Sequence, residues 1–287
     1  MSGVHEHEVI VIGAGVAGIY QIKRLVDLGA DALVLEAEDD LGGTWFRNRY
    51  PGCRFDSESY TYGYSFSQEI LDTWHWKELF SSQPENLRYL NHVADLFDLR
   101  EHMRFGVRIA SMVWDEAACS WTLTATNGET FCARFVITAL GPLSSPTLPA
   151  FEGMDEFAGE SFHTFRWPDD LDLTGKRVGQ IGTGATGIQI VPSIAPIVER
   201  LTIFQRRPNW SSPLNNRSIT DEEMAEIRRR YPEIFENCST TVGGFEHVPR
   251  WGFWEAMPEE RRALWDELYT RPGFAIIGAN YACLLYT

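Results

Sequence analysis

The stretch Glu8–Gly29, EVIVIGAGVAGIYQIKRLVDLG, decides the fold. Val9 to Ile12 form a short apolar run, glycines follow at Gly13, Gly15 and Gly18, and the residues beyond them carry helical spacing. Strand, tight turn and helix in this order open a dinucleotide-binding unit. Gly13 permits the turn, Gly15 lets a pyrophosphate approach the backbone, and Gly18 lets the helix pack on the strand; Ala17 lies in the same turn. A second apolar run, Ala32 to Leu35, ends in Glu36. That places an acid about 20 positions past the first glycine, where it reaches the ribose hydroxyls of an adenosine half.

The same device recurs at Arg177–Trp210, RVGQIGTGATGIQIVPSIAPIVERLTIFQRRPNW. Val178 to Ile181 read as the strand, and Gly182, Gly184 and Gly187 repeat the glycine spacing around Thr183, Ala185 and Thr186. The following strand, Leu201 to Phe204, ends on Arg206 and Arg207 instead of an acid. Guanidinium groups there suit the additional 2'-phosphate of NADP. A charge-assisted hydrogen bond contributes about 1.5 to 3 kcal/mol, enough to favour NADPH over NADH roughly ten- to hundredfold. An acid-ended and an arginine-ended unit in one chain imply two different dinucleotides. The chemistry that needs both is hydride transfer from a nicotinamide to a flavin.

Composition narrows the classes further. The formal net charge of -15 offers no field for nucleic acid or an anionic membrane surface. The five cysteines are odd in number and lack a CxxC pair, so neither a disulfide framework nor a metal site is expected. No apolar run has the length of a membrane-spanning helix, and the reading is a cytoplasmic protein.

Between the two devices, Gly42–Phe66 (GGTWFRNRYPGCRFDSESYTYGYSF) is dense in Gly, Arg, Asp and aromatic residues without a clear period, and reads as an ordered functional loop. Met103 to Asp115, Trp121 to Ala125 and Phe131 to Ala139 read as strands, and Pro142, Pro146 and Pro149 mark a linker. Thr220 with Glu223 caps a helix expected to reach about Tyr231, and Pro258 starts another to about Tyr269. The scattered tryptophans, among them Trp74, Trp76, Trp251 and Trp254, fit core packing better than a substrate cage.

FAGESFHTFRWP, with Phe157, Gly159, His163, Thr164, Trp167 and Pro168, matches the pattern FxGxxxHTxxWP. In this segment and in the Gly42–Phe66 loop the chain resembles the type I Baeyer-Villiger monooxygenases. The resemblance implies FAD and NADPH as cofactors, and a small-molecule ketone and oxygen as substrates, joined to an ester or lactone by way of a flavin peroxide. It also implies residue roles. Glu36 would bind the FAD adenosine; Thr44, Trp45, Asp56 and Tyr62 would lie along the flavin, with Ile109 touching it through its backbone. Arg54 and Asp56 would face the nicotinamide as the catalytic pair, Asp56 holding a catalytic arginine that this chain lacks. Thr183 to Gln189, with Arg206 and Arg207, would hold the rest of NADP. His163 is expected to orient a linker, not to act as a base.

The expected fold is α/β with two Rossmann-like dinucleotide-binding domains, both incomplete at the C-terminal end. These are a first part of an FAD domain at 1–145, a first part of an NADPH domain with the fingerprint linker at 146–214, and a helical insertion at 215–287. The resemblance makes the chain a front fragment, and the apolar closing stretch YACLLYT agrees with that. Two alternatives stay open: an N- or S-oxidising flavin monooxygenase, and a non-catalytic nucleotide-binding fragment.

Overall fold

The computed structural model describes residues 4–209, 211–241, 244, 246 and 255–273; Trp251, Trp254 and the closing stretch 281–287 lie outside them. In chain order the elements begin with β1 (His5–Ile12), α1 (Val16–Asp27), β2 (Ala32–Leu35), α2 (Thr44–Arg47), α3 (Ser59–Tyr62), α4 (Gln68–Thr73) and α5 (Gln83–Leu96). They continue with β3 (Met103–Arg104), β4 (Ile109–Asp115), β5 (Ser120–Ala125), β6 (Thr130–Thr138), β7 (Arg177–Ile181), α6 (Ala185–Ile194), β8 (Arg200–Phe204), α7 (Asp221–Thr240) and α8 (Pro258–Thr270).

Contacts divide the chain into two compact units, Met1–Tyr50 with Pro84–Asp172, and Pro51–Gln83 with Leu173–Thr287. The boundaries read from sequence ran elsewhere, at 145/146 and 214/215. Those cuts followed the proline-rich linker and the composition, whereas the Pro51–Gln83 excursion is held by pairing remote in sequence. Arg217 O accepts from Leu79 N at 2.9 Å, and Lys77 O accepts from Ile219 N at 2.9 Å.

The first unit is built on a six-stranded sheet of order β3-β2-β1-β6-β5-β4. β3, β2, β1 and β6 run parallel, and β5 and β4 extend the sheet antiparallel from β6. β1 is buried over Val9–Ile12 because it lies between two parallel neighbours, which is why its end reads as an unbroken apolar run. Met103 to Asp115 is not one strand: the chain turns at Gly106 (φ +71°), and its two halves fall at opposite ends of the pairing order. On β5, Leu123 and Ala125 share one apolar cluster with Ile10, Ile12, Leu35, Val107 and Phe131.

The second unit contains the parallel pair β7-β8, in register from Arg177↔Arg200 to Ile181↔Phe204, with α6 between them in sequence. α7 starts where the capping pair predicted, with Thr220 Oγ1 accepting from Glu223 N at 3.2 Å. It does not stop at Tyr231. Pro232 removes one backbone donor, yet buried Met224, Ile227, Tyr231 and Ile234 keep one apolar stripe running past it, and the helix continues to Thr240.

Candidate functional site

In the first unit the glycine loop joins β1 to α1. Gly13 has φ +103°, and a Cβ there would lie 2.7 Å from Ala139 O. At Gly18 a Cβ would lie 1.8 Å from Gly13 O, so α1 rests directly on the turn. Gly15 differs: its Cβ position faces Gly43 at 3.5 Å, an ordinary contact, so nothing in the protein itself demands glycine there. The Gly42-Gly43 dipeptide beside it, whose significance was not read from sequence, bonds back through Gly42 N to Ala14 O at 2.9 Å.

Glu36 sits at the end of β2 with 7% of its surface exposed. One carboxylate oxygen accepts from Ala14 N at 2.6 Å and the other from Glu38 N at 2.9 Å. Burial raises its pKa above the ordinary carboxylate value, against the pull of the Ala14 and Ala37 backbone bonds and of Arg47 and Arg108. The side chain thus ties the glycine loop to the β2 end and keeps lone pairs for a further donor. Of the other residues expected beside a flavin here, Trp45 is buried, Thr44 is exposed, and Ile109 opens β4 opposite Ala125; Ala17 is exposed on α1.

The fingerprint segment belongs to this unit too. His163 Nδ1 accepts from Phe165 N at 3.1 Å and caps the short helical turn Thr164–Arg166. Phe165 is buried under the Arg47 guanidinium, and Trp167 stacks edge-on against Phe162. His163 is therefore engaged in holding a turn.

In the second unit the glycine loop between β7 and α6 repeats the first. Gly182 has φ +101°, and a Cβ on Gly187 would meet Gly182 O at 2.7 Å. Gln180 Nε2 donates to Gly182 O and Gly187 O, bracing the turn. Gly184 faces open space: among the described residues, its chain neighbours aside, no atom lies within 4 Å of its Cβ position. Thr183 is tied to the end of β8 from both sides, since its Oγ1 accepts from Gln205 Nε2 at 2.9 Å and its carbonyl from Asn209 Nδ2 at 2.7 Å. Arg206 and Arg207 lie between those tethers. Both are exposed, and among the described residues neither is ion-paired.

The same unit brings Arg54, Asp56 and Gln189 together. Gln189 Nε2 donates to Arg54 O at 3.0 Å and to Asp56 Oδ1 at 3.1 Å, while Gln189 Oε1 accepts from Arg54 N at 3.3 Å. Burial raises the pKa of Asp56, opposed by the Gln189 bond and by Arg54. Arg54 Nη1 donates to Phe80 O at 3.3 Å and pairs with Glu78 at 3.5 Å. Asn216 Nδ2 donates to both of those acceptors. Glu78 and Asn216 were not singled out from sequence, where no local pattern connects them to Arg54. Tyr62 packs edge-on against Phe55.

The family model described as flavin-binding monooxygenase-like matches residues 6–222. The chain belongs to that family. It is 41% identical, over 95% of its length, to the acetone monooxygenase (methyl acetate-forming) of Gordonia sp. strain TY-5, of which it covers 51%. It is 40% identical to the phenazine N-monooxygenase of Lysobacter antibioticus over 83% of its own length and 45% of that protein's. The crystal structure of OTEMO in complex with FAD and NADP superposes with a TM-score of 0.91 at 46% identity, covering 97% of this chain and 54% of that one. The chain spans about half the length of the curated relatives it matches. Among the described residues, no helix is long and apolar enough to cross a membrane.

Proposed function

We propose that this chain forms part of an FAD- and NADPH-dependent Baeyer-Villiger monooxygenase, which inserts one oxygen atom from O2 beside a ketone carbonyl to give an ester or lactone. The observation that carries it is the pair of glycine loops, one backed by the Glu36 carboxylate and one flanked by two exposed arginines, in a chain similar to a methyl acetate-forming acetone monooxygenase. The residues present fit both groups. Open space before Gly184 leaves the start of α6 accessible to a pyrophosphate, and Glu36 has acceptor capacity beyond its two backbone bonds.

FAD, once reduced by NADPH, supplies the oxygen-activating chemistry. The chain's own residues bind and orient. Arg206 and Arg207 would read the 2'-phosphate, and Thr183 would fix the loop under the phosphates. Arg54, pinned by Phe80 O and Glu78, would present a fixed positive charge toward the nicotinamide side. Asp56 accepts from Gln189 and feels the charge of Arg54, and it would act by ion pairing with a catalytic arginine, not by proton transfer. The first glycine loop, with Glu36, would hold the adenosine half of FAD, and the second, with Arg206 and Arg207, that of NADPH.

The test is product analysis with the full-length protein, NADPH and oxygen over a panel of ketones, amines and sulfides. A lactone from a cyclic ketone, with activity mostly lost in Asp56→Ala while bound FAD is retained, is the expected result. Oxygenation of amines or sulfides alone would favour the N-oxygenating reading that the phenazine relative suggests.

A further inference from the structure

We infer that Asn216 is a positioning residue, whose carboxamide fixes the two acceptors that aim the Arg54 guanidinium. Both residues belong to the second unit, and the stretch 77–83 runs between the segments that carry them. On one side Phe55 N donates to Ser81 O at 3.2 Å and Gln83 N to Cys53 O at 2.8 Å, which sets Arg54 opposite Ser82. On the other, the bonds of Leu79 N to Arg217 O and of Ile219 N to Lys77 O set Ser218 opposite Glu78.

The two side chains meet on the same pair of oxygens. Asn216 Oδ1 accepts from Phe80 N at 3.0 Å, which orients the carboxamide. Its Nδ2 then donates to Phe80 O and to Glu78 Oε2, each at 3.3 Å. Arg54 Nη1 donates to those same atoms, at 3.3 Å to Phe80 O and 3.5 Å to Glu78 Oε2.

Of the two acceptors, Phe80 O is main chain and is held by the pairing around it. Glu78 is not: its side chain is 39% exposed and that of Arg54 25%. An ion pair so open to water contributes little by itself and leaves both side chains free to turn into solvent. What keeps Glu78 beside Arg54 is its second donor, Asn216, which is itself fastened to both backbone groups of Phe80. An amide is neutral, so it holds the carboxylate without cancelling the charge that Arg54 pairs with. The chain entering Asn216 is anchored in turn, since Leu214 O accepts from Gly273 N at 2.9 Å and Asn215 Nδ2 donates to Arg271 O at 3.2 Å. The consequence, which rests on the reading that Arg54 faces the nicotinamide, is that Asn216 acts on flavin reduction through Arg54.

The experiment uses the FAD-loaded full-length protein. Asn216→Leu nearly keeps the size of the side chain and removes all its hydrogen bonds, and Asn216→Ser serves as a second variant that lets water reach Phe80 N. Arg54→Met and the Arg54→Met, Asn216→Leu double variant complete the set. Two readouts are taken: the rate at which phenylglyoxal labels Arg54, followed by mass spectrometry, and flavin reduction by NADPH without oxygen, followed by the flavin spectrum over a range of NADPH concentrations. In both Asn216 variants labelling of Arg54 should speed up roughly fivefold, the change expected from losing one hydrogen bond of ordinary net strength. The limiting rate of reduction should fall roughly tenfold while the half-saturating NADPH concentration stays within about threefold, because the charge of Arg54 remains but is no longer aimed. Once Arg54 is methionine, Asn216→Leu should change the limiting rate by less than about twofold, since the residue it positions is gone. Unchanged labelling of Arg54 in a stably folded Asn216 variant, or losses that multiply in the double variant, would overturn the inference. Should Arg54→Met leave flavin reduction as in the parent, the reading of Arg54 falls, while the labelling arm still decides whether Asn216 holds it.

Discussion

Replacing Gly184 by Ala separates what the fold requires from what a ligand requires. The residue has φ -71°, which alanine adopts without strain, and among the described residues, its chain neighbours aside, no atom lies within 4 Å of the added methyl. At the N-cap of α6 alanine is a slightly poorer choice than glycine, and the stiffer unfolded chain offsets that by a similar amount. Stability should therefore change by less than about 0.5 kcal/mol, a melting shift of roughly 1–2 °C. If a pyrophosphate approaches the loop at hydrogen-bond distance, the methyl occupies its path. Losing one charge-assisted bond of about 1.5 to 3 kcal/mol weakens NADP+ binding roughly ten- to hundredfold. Titration of NADP+ against both proteins, alongside denaturant unfolding, reads the two effects separately. Unchanged affinity in a stably folded Gly184→Ala protein would refute the assignment of this loop to a dinucleotide phosphate.

Other substitutions follow from the same geometry. Gly18→Ala would set a methyl 1.8 Å from Gly13 O, and should destabilise the first unit by about 3 kcal/mol or more, read by urea unfolding. Arg206→Ala should raise the Michaelis constant for NADPH roughly tenfold and leave that for NADH nearly unchanged; an equal effect on both would remove the 2'-phosphate role. Asp56 has a folded-state pKa raised chiefly by burial, so its stabilising contribution is complete below the unfolded pKa and is lost as pH rises through the folded one. Asp56→Asn keeps an acceptor for Gln189 and escapes that loss. Its stability relative to the parent should grow as pH rises, and a difference that shrinks with pH would contradict the burial account.

Much of the scaffold could be read because its signals are local. β2 spans the predicted Ala32–Leu35, and both glycine loops have the turn-forming first glycine and close-packed third glycine that their spacing implied. α5 was not read, although Leu90, Val93 and Ala94 bury one of its faces, because polar residues interleave its apolar positions. The sequence reading ends α7 at about Tyr231, because the burial that carries the helix past Pro232 to Thr240 is not visible in sequence. The proposed site divides in the same way. Arg206 and Arg207 sit at a fixed offset from a glycine loop, but the bonds of Arg54 and Asp56 to Gln189 join residues 135 and 133 positions apart, and no local pattern reports them.

The excursion of Pro51–Gln83 into the second unit also constrains the order in which the protein can take shape during synthesis. Trp76 and Phe80, at most 1% exposed in the finished fold, leave the ribosome well before the helix and strands that their unit is built from. With about 135 residues still to be made before the Arg217–Ile219 stretch that pairs with it, at roughly 5 to 20 residues per second, that apolar segment waits on the order of 7 to 27 seconds for its partners. Its hydrophobic side chains are then bare in the nascent chain, and chaperone capture falls in that interval. A slower ribosome lengthens the exposure, so codon usage between residues 84 and 219 becomes a determinant of yield for a protein whose folded stability is unaltered.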